Sequence, residues 1–109
     1  MASNDMHVVI YKILAYLYAC MKSGDRPQYS CYSSEAMGIP DEYWKQIMCE
    51  LVAHRYIEGV NITNGPLGSS VYPANPRVTM DGVEFLMENS MMAKAKQWLI
   101  DAKSTIPFI

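Results

Sequence analysis

Within residues 39–86 the spacing of apolar side chains switches from a helical period to a strand period and back, and few folds accommodate that order in so short a stretch. Pro40-Asp41 opens a helix where proline and an acidic residue suit the first turn. Trp44, Ile47, Met48, Leu51 and Val52 then share one stripe of it, up to about His54. Residues 56–62 are rich in β-branched side chains with imperfect alternation, and Gly59 is a natural bulge. Asn64-Gly65 is the strongest short hairpin signal, lengthened into a longer loop by Pro66, Gly68, Ser69 and Ser70. The returning strand, residues 71–78, contains Pro73 and Pro76, which cannot donate ladder hydrogen bonds, so it is expected at a sheet edge or broken. Thr79 caps a helix from Met80 to about Glu88 that points Val83, Leu86 and Met87 inward. Gly82 lies in its first turn, where a missing side chain lets a neighbouring backbone approach.

The flanks complete the pattern. Asp5 can cap a first helix whose stripe is Met6, Ile10, Ile13, Leu14, Leu17 and Met21. Its other side, with Val8, Tyr11, Ala15, Tyr16 and Ala19, is also apolar, so this helix needs cover on two sides. That cover is either its own domain or a second copy of the chain. Residues 23–27 have a turn composition, residues 28–32 suit a short extended piece, and Ser33 or Ser34 caps a short helix stopped by Gly38. The short helix and the one after Pro40 have helix-turn-helix spacing. A last helix places Met91, Ala95, Trp98, Leu99, Ala102 and Ile106 on one stripe, opposite Lys96 and Lys103. Pro107 ends it, leaving Phe108 and Ile109 as an apolar tail that is either tucked in or docked on another subunit. The expected fold class is mainly α with a small antiparallel β wing, a winged helix-turn-helix with an added C-terminal helix. Residues 1–109 form one domain, with 1–90 as core and 91–109 as C-terminal helix and tail.

Length and charge narrow the functions. A chain of 109 residues, half of them hydrophobic, has room for one core and no second domain. A formal net charge of −2 supplies no global field toward phosphate or an anionic membrane, so any basic patch must be local. Three cysteines, Cys20, Cys31 and Cys49, without CxxC spacing argue against a disulfide framework or a zinc site and fit a reducing, cytoplasmic setting. The N-terminus has no positive flank or small-residue cleavage site, so no signal peptide is expected. The first apolar run is short and interrupted by Lys12, so no membrane span is expected either.

Two segments carry a resemblance. Residues 51–59, Leu-Val-Ala-His-Arg-Tyr-Ile-Glu-Gly, and residues 78–86, Val-Thr-Met-Asp-Gly-Val-Glu-Phe-Leu, look like the matching parts of many bacterial winged-helix regulators. The second is a variant of Leu-Thr-x-x-Gly-x-x-x-Leu, with Val78 in the place of leucine. Residues 79–90, densest at Gly82-x-x-Phe85-Leu86-x-Glu88-Asn89-Ser90, together with a Lys-containing helix and the terminal Ile-Pro-Phe-Ile, resemble the YjcQ family of small winged-helix proteins of bacteria and their phages. The resemblance spans nearly the whole chain. It implies the fold and a phage or prophage context, and carries no catalytic residues.

Function then turns on charge. A recognition helix and wing that approach a polyanion normally supply Lys, Arg and neutral polar groups. Here Tyr43, Lys45 and Gln46 could touch bases or phosphates, with Arg55 and Arg77 reaching a backbone. Asp41, Glu42 and Glu50 oppose them, and residues 63–70 are free of basic side chains. The main expectation is therefore a non-catalytic winged-helix binding protein acting as a homodimeric interaction module, through Val8, Tyr11, Met91, Ala95, Trp98, Leu99, Ala102 and Phe108. The alternative is a transcriptional regulator contacting duplex DNA through residues 41–54 and the wing. The other reading of Trp98, Leu99 and their neighbours is that they complete the monomer core, as such stripes usually do. Neither a metal, a cofactor nor a small-molecule substrate is expected. His7 and His54 show no sequence-level sign of meeting, Gly65-Pro-Leu-Gly68 lacks the lysine of a phosphate loop, and no serine sits in a nucleophile elbow. Of the nine methionines, Met21, Met48 and Met87 read as core, and Met91-Met92 as a candidate contact.

Overall fold

The first helix is the pillar of the molecule. In the computed structural model, which describes residues 1–103, α1 (Met6–Ser23) contacts a short helix α2 (Tyr29–Tyr32), the strand β4 (Arg77–Val78) and the last two helices, α5 (Met80–Glu88) and α6 (Ser90–Asp101). Nine of its residues are buried, among them Val8, Val9, Ile13 and Leu14 with no exposed surface. Each such aliphatic side chain contributes about 1.5–3 kcal/mol of transfer free energy, which is why a helix apolar on two sides ends up central. The cover comes from the same chain. Only the ends of the expected stripe protrude: Met6 and Met21 are 38% and 50% exposed. Burial pushes the Tyr11 hydroxyl pKa up and the Lys12 ammonium pKa down. The Asp5 carboxylate does not cap α1; it accepts from the Ala2 amide instead.

Residues 29–32 are a turn of helix, where an extended piece was the expectation. The helical turn places Tyr29 and Tyr32, three residues apart, on one side. The Tyr29 ring then meets Tyr32 and Trp44 edge-on at 5.5 and 6.0 Å, and Trp44 Nε1 donates to the Tyr32 carbonyl at 2.8 Å. Burial, followed by the neighbouring Tyr29, pushes the Tyr32 hydroxyl up to about 12. Ser33 closes α2 and opens α3 (Ser34–Met37), its Oγ accepting from the Ala36 amide at 3.2 Å, and Gly38 ends α3 with a φ of 68°. Pro40 precedes α4 (Asp41–Ala53), which buries Trp44, Ile47, Met48 and Leu51 as its stripe requires.

The wing is antiparallel but interrupted. Strand β1 (Ile57–Glu58) pairs with β4, while β2 (Asn61–Gly65) pairs with β3 (Gly68–Tyr72) in a separate ladder. Between them lie two residues on the outgoing strand and four, including Pro73 and Pro76, on the return. The prolines break the ladder where donors are missing, and Gly59 makes the bend at a φ of 80° with its carbonyl accepting from Asn75. The hairpin reverses later than Asn64-Gly65 signals: Gly65 pairs with Gly68, leaving Pro66 and Leu67 as the loop. Proline fixes φ there and Gly68 supplies a φ of 116°, a combination that outcompetes the Asn-Gly signal. Residues 59–76 contain no Asp, Glu, Lys, Arg or His.

Thr79 docks the wing to α5. Its Oγ1 accepts from the Gly82 amide at 3.0 Å and donates to the Arg55 carbonyl at 2.6 Å, so one hydroxyl caps the helix and ties it to the end of α4. Thr79→Ala is expected to cost about 1–2 kcal/mol, read as a lower urea midpoint with an unchanged m-value. Val83 and Leu86 face the core, but Met87 is 61% exposed, on the solvent side of α5. Asn89 then caps α6, its Oδ1 accepting from the Met91 and Met92 amides. That cap turns Met92, rather than Met91, fully inward with Ala95 and Leu99. Helix α6 is thus part of the single buried cluster and packs along α1, where the sequence suggested an addition to a finished core.

Candidate functional site

Three of the residues singled out for nucleic acid, Tyr43, Lys45 and Gln46, lie along a groove between α4 and the β2–β3 hairpin. It encloses about 800 Å³. Helix α4 presents Tyr43, Lys45, Gln46 and Cys49 along one wall, and the alternation of the hairpin turns Ile62, Asn64 and Ser69 toward it from the other. Met6 closes one end, and Val52 and Ile47 give the floor its apolar character.

The electrostatics of this groove are set by α4. Lys45 Nζ lies 3.3 Å from Asp41 Oδ2 and 3.4 Å from Glu42 Oε1, both on its own helix. The Asp41 hydrogen bond, then Glu42, raises the Lys45 pKa. Its charge is therefore matched twice over before any phosphate arrives. Glu42 and Glu50 both line the groove, and the hairpin adds no Asp, Glu, Lys, Arg or His. Tyr43 is turned to the N-terminal segment, its hydroxyl donating to the Asn4 carbonyl at 2.9 Å. Burial, and secondarily Asp5, raises its pKa.

The five residues singled out for nucleic acid do not form one surface. Tyr43, Lys45 and Gln46 share the groove; Arg55 and Arg77 do not line it. Arg77 pairs with its cross-strand neighbour Glu58 and lines a different crevice, with Leu17, Arg26 and Asn75, at the C-terminal end of α1. Arg55 has a φ of 60° at the exit from α4, where its carbonyl is held by Thr79.

The residues singled out as an interface divide in a similar way. Val8, Tyr11, Ala95 and Leu99 are buried in the chain's own core, because α1 and α6 cover each other. Those four side chains are at most 6% exposed and leave little surface for a second copy. Met91 and Trp98 are half-buried and Ala102 is exposed. Phe108 and the rest of the apolar tail lie outside the described residues.

Two features escaped the sequence. His7 and His54 do share a small cavity of about 180 Å³, together with Glu50 and Phe85. Beside it runs a pile of three rings: His54 stacks on Tyr56 at 5.5 Å between centroids, and Tyr56 on Phe85 at 4.5 Å. The stack joins residues about thirty positions apart through the wing, so no local pattern could have announced it. Ile62, by contrast, was legible as an inward position once the hairpin register was known. Among the described residues, no group of three His, Cys, Asp or Glu side chains is placed to hold a metal ion, and no helix is long and apolar enough to cross a membrane.

A helix-turn-helix from α3 and α4, followed by a two-stranded hairpin and a capped helix, defines a winged-helix-like domain. Within that class, the family model described as YjcQ protein matches residues 11–105, and the chain belongs to the YjcQ family. No curated protein and no solved structure matches the chain.

Proposed function

We propose that this chain is a non-catalytic binding protein that uses the α4–wing groove to engage another protein, and that duplex DNA is not its ligand. One observation carries the proposal: Lys45, the one cation that lines the groove among the described residues, is neutralised by Asp41 and Glu42 on its own helix, leaving surplus negative charge there. Phosphate contacts supply most non-specific DNA affinity, and each absent contact removes about one unit of salt slope. An uncharged hairpin with Leu67 fully exposed at its tip is likewise better suited to apolar contact than to a phosphate backbone. The partner is taken to be a different protein, since Val8, Tyr11, Ala95 and Leu99, four of the eight residues expected to form a homodimer face, are covered by the chain itself.

A photo-crosslinking amino acid at the exposed position Gln46 tests this in cells. Adducts with protein that disappear under protease, and none with DNA, are the expected result. A DNA adduct, or a gel shift of random-sequence duplex at about 50 mM salt, would overturn it in favour of the regulator reading.

A further inference from the structure

Beyond Met6 the groove has a neighbour. Met6 and Glu50 line both the groove and the small cavity that holds His7 and His54. Tyr56 and Phe85, in turn, line both that cavity and a shallow hollow of about 390 Å³ bounded by Asp81, Glu84 and Glu88. The three depressions therefore adjoin one another in series through shared lining residues, from the inner face of the wing, past the N-terminal end of α1, to the outer side of α5. Along this track five carboxylates, Glu42, Glu50, Asp81, Glu84 and Glu88, outnumber the basic groups that line it among the described residues, which are Lys45, already paired, and the imidazoles of His7 and His54, the latter 3.6 Å from Glu50. The apolar material changes along it as well, from aliphatic side chains in the groove to flat aromatic rings at the far end.

From this series we infer that the track receives an extended, basic segment of a partner polypeptide, with aliphatic anchors in the α4–wing groove and arginine at the Tyr56–Phe85 end. The inference rests on the groove being a protein-binding site, and it adds the partner's chemistry and the length of the contact. Arginine suits the far end for a geometric reason. Its fork of N–H groups meets a carboxylate in two parallel hydrogen bonds, and Glu84 and Glu88 stand beside Phe85 in the hollow. An ammonium satisfies the charge but not that paired geometry. An acidic segment would meet five like charges, which sets the selectivity as well as the attraction.

The test uses the full 109-residue chain, labelled with nitrogen-15, and two synthetic fourteen-residue peptides, one alternating leucine with arginine and the other alternating leucine with glutamate. The basic peptide is expected to shift amide resonances both at Cys49 and Ile62 and at Glu84 and Phe85, while the acidic peptide shifts neither group. Glu84→Gln with Glu88→Gln, on an exposed helix face that leaves the core untouched, is expected to weaken the basic peptide about tenfold. Shifts confined to Cys49 and Ile62, with the double variant binding as well as the parent, overturn the track and leave the groove reading standing. Equal shifts from the acidic peptide overturn the charge selectivity. Absence of localised shifts from either peptide overturns the inference outright, and the Gln46 cross-link then decides the groove reading separately.

Discussion

Gly82→Ala is expected to destabilise the protein by about 3 kcal/mol or more, although alanine normally favours a helix over glycine by about 1 kcal/mol. The reversal follows from what lies against the first turn of α5. A Cβ at residue 82 would sit 2.1 Å from the Tyr56 carbonyl oxygen and 2.7 Å from Val78 Cγ2. Neither neighbour is free to give way. The Tyr56 carbonyl accepts from the Thr79 amide at 3.0 Å, and Val78 is 97% buried in the ladder with Ile57. Relief therefore requires α5 to lift off the base of the wing, which undoes the Thr79 cap as well. For a domain of this size the change corresponds to a drop in Tm of about 12 °C or more. A thermal melt followed by circular dichroism checks it, and an unchanged Tm would show that α5 can shift without cost.

Trp44→Ala should cost a similar amount, about 3–5 kcal/mol, by a different route. The indole is 2% exposed and joins α4 to α2 through its hydrogen bond to the Tyr32 carbonyl. Truncation removes the ring's burial, its edge contact with Tyr29 and the donor for that carbonyl. Trp44→Phe separates these contributions, since phenylalanine restores most of the apolar contact and none of the hydrogen bond. Urea unfolding should rank the variants wild type, Phe, Ala. Equality of Phe and wild type would remove the hydrogen bond from the account.

Much of the architecture was legible in the sequence because it depends on local rules. The α4 stripe, the Thr79 cap, the close approach at Gly82 and the proline-broken return strand all follow from one or two residues and their spacing. Where local signals competed, the structure differs. Residues 29–32 coil because Tyr29, Tyr32 and Trp44 gain more by packing together than an extended segment would, and the hairpin turns at Pro66-Leu67 because proline and Gly68 fix the reversal there. Placement of Met87 and Met91 failed by one helical step, since a wide apolar stripe does not say which edge lies against the core. The candidate site was harder to read. Tyr43, Lys45 and Gln46 were identified, but their pairing partners on α4, the hairpin wall opposite and the Tyr56–Phe85 stack all depend on how distant segments meet.

The wing's lack of side chains charged near neutral pH from Gly59 to Pro76 divides the work of binding between two kinds of physics. Whatever the hairpin contributes to a complex should be insensitive to ionic strength and to acidity across the neutral range. Salt titration of any partner would thus report on groups outside residues 59–76, and the remainder at high salt would include what the hairpin contributes.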